Sequence, residues 1–174
     1  MTRTPLRRAA ALLCCILAFT ATGWAQTVEP LFFIARTKNA NKVYYEARLT
    51  ADGTLDVKQP IHAYWILWAK DTTGKTREEL SGMEKRMAFG FTVSKASPTS
   101  CTVSLAAFRS RPIEVTVKGT TCRAVTTIAG KPAYLKNLFV VSGGGVLIPH
   151  VSSVTLYGSD AATGASVQEV ITPR

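Results

Sequence analysis

The chain has 174 residues, 47 % of them hydrophobic, with a formal charge of +10, two His and four Cys. Two widely separated His, with no HExxH or CxxC beside them, argue against a zinc site. No apolar stretch reaches the about 20 residues of a membrane helix.

The first element is a leader. Arg3, Arg7 and Arg8 precede an uncharged run from Ala9 to Phe19, and TATGWAQ follows at 20–26. A basic start, a short apolar run and small residues are the pattern of a secretory signal peptide. Gly23 and Ala25 suit the small positions before the cut. Residues 1–25 are therefore expected to leave, and 26–174 to form one exported domain in the periplasm or outside the cell. Loss of three Arg and no acid leaves 18 basic and 11 acidic residues, or +7.

In the exported part, LFFIARTK (31–38) and VYYEARL (43–49) read as two strands. In the second, Val43, Tyr45, Ala47 and Leu49 alternate with Tyr44, Glu46 and Arg48, the signature of one buried face. Between them KNANK (38–42) has the composition of a hairpin turn, because Asn tolerates positive φ and bonds nearby backbone. IHAYWILWA (61–69) is apolar on both alternating faces and needs cover on both. TREELSGMEKRMAFG (76–90) reads as a helix. Thr76 and Glu79 have capping-box spacing, and Leu80, Met83 and Met87 form one stripe, expected to pack in the core. Gly82 inside that span implies a close approach to the sheet, and Gly90 is a fitting stop.

From Phe91 the chain returns to period-two segments. CTVSLAAF (101–108), IEVTVK (113–118), CRAVTTI (122–128), YLKNLFVV (134–141), VSSVTLYG (151–158) and SVQEVIT (166–172) are separated by Gly/Pro-rich turns. The spacing is that of an antiparallel meander. About ten strands in one domain must close or stack. The expected fold is mainly β, an antiparallel barrel-like or sandwich sheet with one α-helix packed against it.

The two Cys left after cleavage, Cys101 and Cys122, are expected to form a disulfide in an oxidising compartment. The chain must bend back to join them, since Cα atoms more than about 7 Å apart cannot be bridged.

Chemistry follows from the inventory. There is no GxSxG nucleophile elbow, and SGGG (142–145) lacks the Lys-Ser/Thr of a phosphate loop. Acidic residues are too scattered for a paired-carboxylate mechanism. Neither a cofactor nor a metal is expected. The aromatics are more informative. Tyr44, Tyr64 and Trp68, with Arg36, Lys38, Asn39 and Asn41 nearby, would line a barrel mouth suited to a small amphipathic or anionic ligand. The same aromatics would equally serve as a plain core.

A second reading uses the region from Lys85 to Lys136, where nine basic residues accompany one acid, Glu114. Such a face would meet an anionic envelope polymer, or simply be solvated. Export argues against nucleic acid. A third reading is an enzyme using His62 or His150 with Asn39 and Asn41, which requires a His within hydrogen-bond reach of a polar partner in a cleft. The leading expectation is a non-catalytic, monomeric binding domain.

In combination, FIARTKNANKVYYEARL (33–49), AYWI (63–66), REELSGMEKRMAFGF (77–91), IAGKPAYLKNLFV (128–140) and YGSDAATGASVQEVITP (157–173) carry a resemblance. In this order they resemble the bacterial secreted family called domain of unknown function 4833. The resemblance implies a single exported domain without an established activity. It carries over no catalytic residue. It places 38–42 within a family pattern.

Overall fold

The computed structural model describes residues 30–37, 39–119, 121–143 and 150–172. Residues 1–29, which include the expected leader, and Lys38 lie outside them. Eleven strands and one short helix follow in chain order. The first three strands are β1 (Phe32–Arg36), β2 (Asn39–Ala47) and β3 (Ile61–Ile66). Next come β4 (Arg77–Glu79), α1 (Gly82–Met87), β5 (Phe91–Ser94) and β6 (Ser100–Leu105). The chain ends with β7 (Phe108–Lys118), β8 (Thr121–Ile128), β9 (Lys131–Gly143), β10 (His150–Asp160) and β11 (Ser166–Ile171).

The mainly β expectation holds, and the strands form one curled half-barrel. Its path is β4-β3-β2-β1-β9-β8-β7-β6-β5. The organiser is β9, thirteen residues long. Along one edge it pairs first with β8, at Lys131–Tyr134, and then with β1, at Asn137–Val140. Its other edge carries β10, which in turn carries β11. The β1–β9 ladder is parallel, so the sheet is mixed rather than purely antiparallel. Turn residues report local hairpins, whereas this pairing joins segments about a hundred residues apart in the chain, which no turn signal encodes.

The core lies in the curl. Val43 and Tyr45 of β2, Val103 of β6, Val115 of β7 and Ile128 of β8 are fully buried there. Their period-two spacing puts one face of every strand inside. At Gly158, beside a register shift in β10, a Cβ would lie 2.5 Å from the Tyr134 carbonyl oxygen. Only glycine lets the two backbones approach so closely.

The long helix expected over 76–90 is a correction. Asp71 accepts the amides of Thr73, Lys75 and Thr76 and the hydroxyls of both threonines. The Thr73 hydroxyl leads these bonds in holding the Asp71 carboxyl down to about 2. Thr76 is thus consumed by the preceding loop and caps nothing. Residues 77–79 extend as β4 against β3 instead, with Glu79 opposite Tyr64. The helix begins after Ser81, whose hydroxyl accepts the Glu84 amide while Glu84 accepts the Ser81 amide. Leu80 is buried, but Met83 and Met87 are 69 % and 74 % exposed, so the methionine stripe is not core. Gly82 occupies the first helical position, and a Cβ there would touch nothing. The helix is pinned to the sheet by the Trp65 indole, whose N–H donates to Glu84 at 3.1 Å.

The disulfide is a second correction. Cys101 and Cys122 are free thiols. Cys101 on β6 opposes Val115, and Cys122 on β8 opposes Val117, so β7 lies between them. Two ladder spacings put the cysteines roughly 9–10 Å apart across the strands, and a two-residue stagger along β7 separates them further, beyond bridging distance. The mature chain should therefore show the mass of two thiols, and reducing agent should leave its thermal midpoint unchanged. A mass lower by two hydrogens would contradict this arrangement.

Candidate functional site

The residues expected to line a barrel mouth are placed as follows. Asn39 accepts the Asn41 amide at 3.1 Å, and Asn41 accepts the Ala69 amide at 2.9 Å. Asn39 therefore fixes the start of β2, and Asn41 ties it to the segment after β3. Arg36 lies 4.8 Å above the Trp65 ring and 5.7 Å from Phe89, closing one end of the core by cation–π contact. Tyr44, Tyr64 and Trp68 come together with Phe33 on the outer face of β1–β3. Tyr44 packs tilted against Phe33 at 5.3 Å and stacks on Tyr64 at 6.3 Å, and Lys42 sits over Phe33 and Trp68. The Arg77 guanidinium covers the Tyr64 ring at 4.5 Å. The outer face of β3 is thus covered by neighbouring strands rather than by the helix. None of the described residues in this group lines the groove beside Pro60–Ala63 or the smaller one beside Glu114 and Thr126.

The larger groove, about 570 Å³, has a different lining. It runs between Pro60–Ala63 of the β3 side and Gly90–Ala96 of the β5 side. The His62 side chain points to the outer face, whereas Ile61 and Ala63 point into the core. A cleft that touches all three runs along the edge of the strand. Phe91, Val93 and Ser94 mark the edge of β5 in the same way. The groove is therefore the open seam of the half-barrel, where the first and last parts of the sheet path face each other without pairing. At Gly90 a Cβ would overlap the Lys85 carbonyl, so glycine is what lets the chain turn from α1 into this wall.

Four cationic residues line the seam: Arg48, Lys58, Lys85 and Lys95. All four are exposed, and among the described residues none forms an ion pair. Arg48 donates to the Gln59 side chain at 2.7 Å, which fixes its direction. Lys95 has φ 52°, the left-handed region, where β5 ends. The one acidic residue of the lining is Glu79. Beneath the cations Ile61, Ala63, Leu80, Phe91 and Val93 make an apolar floor.

In the lining of the seam, His62 sits between two carboxylates. Its Nε2 lies 2.7 Å from Glu79 and its Nδ1 3.4 Å from Glu46. Strand register makes the cluster, since Glu46 opposes His62 and Tyr64 opposes Glu79. Glu46 also accepts the Tyr64 hydroxyl at 2.9 Å. Burial, reinforced by that bond and the Glu46 charge, pushes the Tyr64 hydroxyl up to about 12. Both imidazole nitrogens are occupied, and among the described residues no hydroxyl or thiol nucleophile bonds to the ring. The arrangement braces the three strands and sets His62 within hydrogen-bond reach of Glu79 at the groove, which is the geometry the catalytic reading requires of a His. Asn41 and Asn39 lie at the far end of β2, roughly 17 and 24 Å from Glu46 at strand rise, so they do not join His62.

Sequence reading missed the seam residues because they come from four separate stretches. The available signal was the outer face of β2 and its continuation, where Glu46 and Arg48 fall two residues apart, with His62 opposite Glu46. The basic stretch from Lys85 to Lys136 does not stay together either. Lys85 and Lys95 reach the seam, Arg111 pairs with Glu169, and Arg123 lies 4.4 Å over Tyr134.

A family model described as Domain of unknown function (DUF4833) matches residues 32–170, from the first residue of β1 to the penultimate residue of β11. No curated protein and no solved structure matches the chain.

Proposed function

We propose, for a chain that belongs to the DUF4833 family, an exported, non-catalytic binding domain that takes an anionic, partly apolar ligand in the seam. The observation that carries this reading is the set of four exposed cations, without ion-pair partners among the described residues, above an apolar floor. Its volume lies within the about 300–1,000 Å³ of ligand clefts. Cations already paired would gain little from an incoming anion, whereas these four lose no partner. The basic leader and apolar run support export to the periplasm or beyond, where the domain acts as a monomer.

The test uses fluorescently labelled dextran sulfate, with neutral dextran as control. The sulfated polymer is expected to bind, and its affinity to fall about tenfold or more between 50 and 200 mM salt, as screening shortens the reach of surface charge. Lys58→Glu with Lys95→Glu should abolish binding. Lys118→Glu with Lys136→Glu changes the net charge equally, at exposed positions outside the seam, and should leave most of the affinity. Equal loss in both pairs would mean that overall basic charge, rather than the groove, holds the polymer.

A further inference from the structure

The seam is bounded by strand edges that lack partners. In the β2–β3 ladder the Arg48 amide donates to the Pro60 carbonyl. Hydrogen-bonded and non-bonded pairs alternate in an antiparallel ladder. From that register, Pro60 and His62 face β2, while the amides and carbonyls of Ile61 and Ala63 face away from it. On that far side β4 covers only Tyr64–Ile66, because the chain leaves the sheet at Leu80. Similarly, the Ala106 amide donates to Gly90, so Thr92 and Ser94 face β6 and the polar groups of Phe91 and Val93 face outward. By the β3–β4 register the Leu80 amide stands opposite the Ala63 carbonyl, whereas among the described residues the Ile61 amide and carbonyl, the Ala63 amide and the polar groups of Phe91 and Val93 meet no backbone partner. Bare edges of this kind are templates for another strand.

We infer that the seam receives an extended acidic peptide, which adds as a strand in the line that β4 vacates beside Ile61–Ala63. This rests on the anion-binding reading of the same groove and names its ligand class. Side chains of an added strand alternate between two faces. One face would meet the floor of Ile61, Leu80 and Phe91, and the other the cations Arg48, Lys58 and Lys95. The fitting sequence therefore alternates apolar residues with Asp or Glu. Main-chain bonds supply the hold and alternate side chains the selection. An anionic polysaccharide would match the cations but neither the bare amides nor the apolar floor.

The probe is a capped ten-residue peptide alternating Val and Glu, tested on the exported chain alongside dextran sulfate. A second peptide carries N-methyl groups on alternate residues, which removes donors along one edge and keeps the charge. The parent peptide is expected to bind, and the methylated one at least tenfold more weakly. Amide exchange of Ile61, Ala63, Phe91 and Val93, followed by NMR, should slow at least tenfold in the complex. Equal binding of the two peptides, or no slowing at these amides, overturns strand addition while leaving an anion-binding groove. Binding of dextran sulfate without the peptide overturns it in favour of a polysaccharide. Binding of neither probe overturns the anion-binding reading as well.

Discussion

Tyr45→Ala is expected to cost about 4 kcal/mol of folding stability, as large aromatic truncations in packed cores do. The side chain is fully buried. Its ring stacks on Phe32 at 4.6 Å and meets the edge of Phe91 at 6.1 Å. Its hydroxyl donates to the Phe89 carbonyl at 2.7 Å, and burial raises its pKa, so it remains a donor. Tyr45→Phe removes only that bond and should cost about 1 kcal/mol. Since a domain's whole stability is about 5–15 kcal/mol, urea unfolding will separate the two variants readily. Equal losses would show that the hydroxyl, not the ring, dominates. The hydroxyl also joins β2 to the segment that leads into β5, one wall of the seam. Tyr45→Phe should therefore weaken ligand binding by a larger factor than its small stability loss would imply.

The second expected result concerns Glu169. Its carboxylate accepts two bonds from Arg111, at 2.5 and 2.9 Å, and the Ala129 amide at 2.7 Å. The Arg111 guanidinium also donates to the Thr127 carbonyl at 2.8 Å. One side chain of β11 thereby clamps β7 and the β8–β9 turn, neither of which pairs with β11. Paired guanidinium–carboxylate bonds of this kind are among the stronger ones. Glu169→Gln should cost about 2 kcal/mol at pH 7. The Arg111 bonds chiefly hold the folded Glu169 carboxyl below its ordinary value. A depressed carboxyl stabilises the fold above its unfolded pKa, near 4.3, and that contribution disappears as pH falls through the lower folded value. The gap between wild type and Glu169→Gln should stay constant from pH 7 to about 5 and close below about 4. A gap that persists undiminished at lower pH would assign the cost to packing rather than charge.

Some of this was legible in the residues alone. The β2 alternation of Val43, Tyr45 and Ala47 fixed which side chains would enter a core, because strand geometry repeats every two residues. KNANK predicted a turn, but its residues from Asn39 on belong to β2, where Asn39 accepts the Asn41 amide and Asn41 accepts the Ala69 amide beyond β3. The helix was misread because Thr76–Glu79 and Ser81–Glu84 both have capping-box spacing. Which one caps depends on Asp71 reaching Thr76, a contact that spacing does not encode.

By itself, the sequence determined the leader pattern, the mainly β class, most strand segments and the scarcity of catalytic groups. Each of these is a local property of composition or periodicity. Tertiary structure alone decided that β1 joins β9, that β7 separates Cys101 from Cys122, and that Glu46, His62 and Glu79 meet. It also brought Arg48, Lys58, Lys85 and Lys95 to one open seam. Those outcomes depend on which strand edges pair and in what register, and a one-residue slip in register would turn every such side chain to the opposite face.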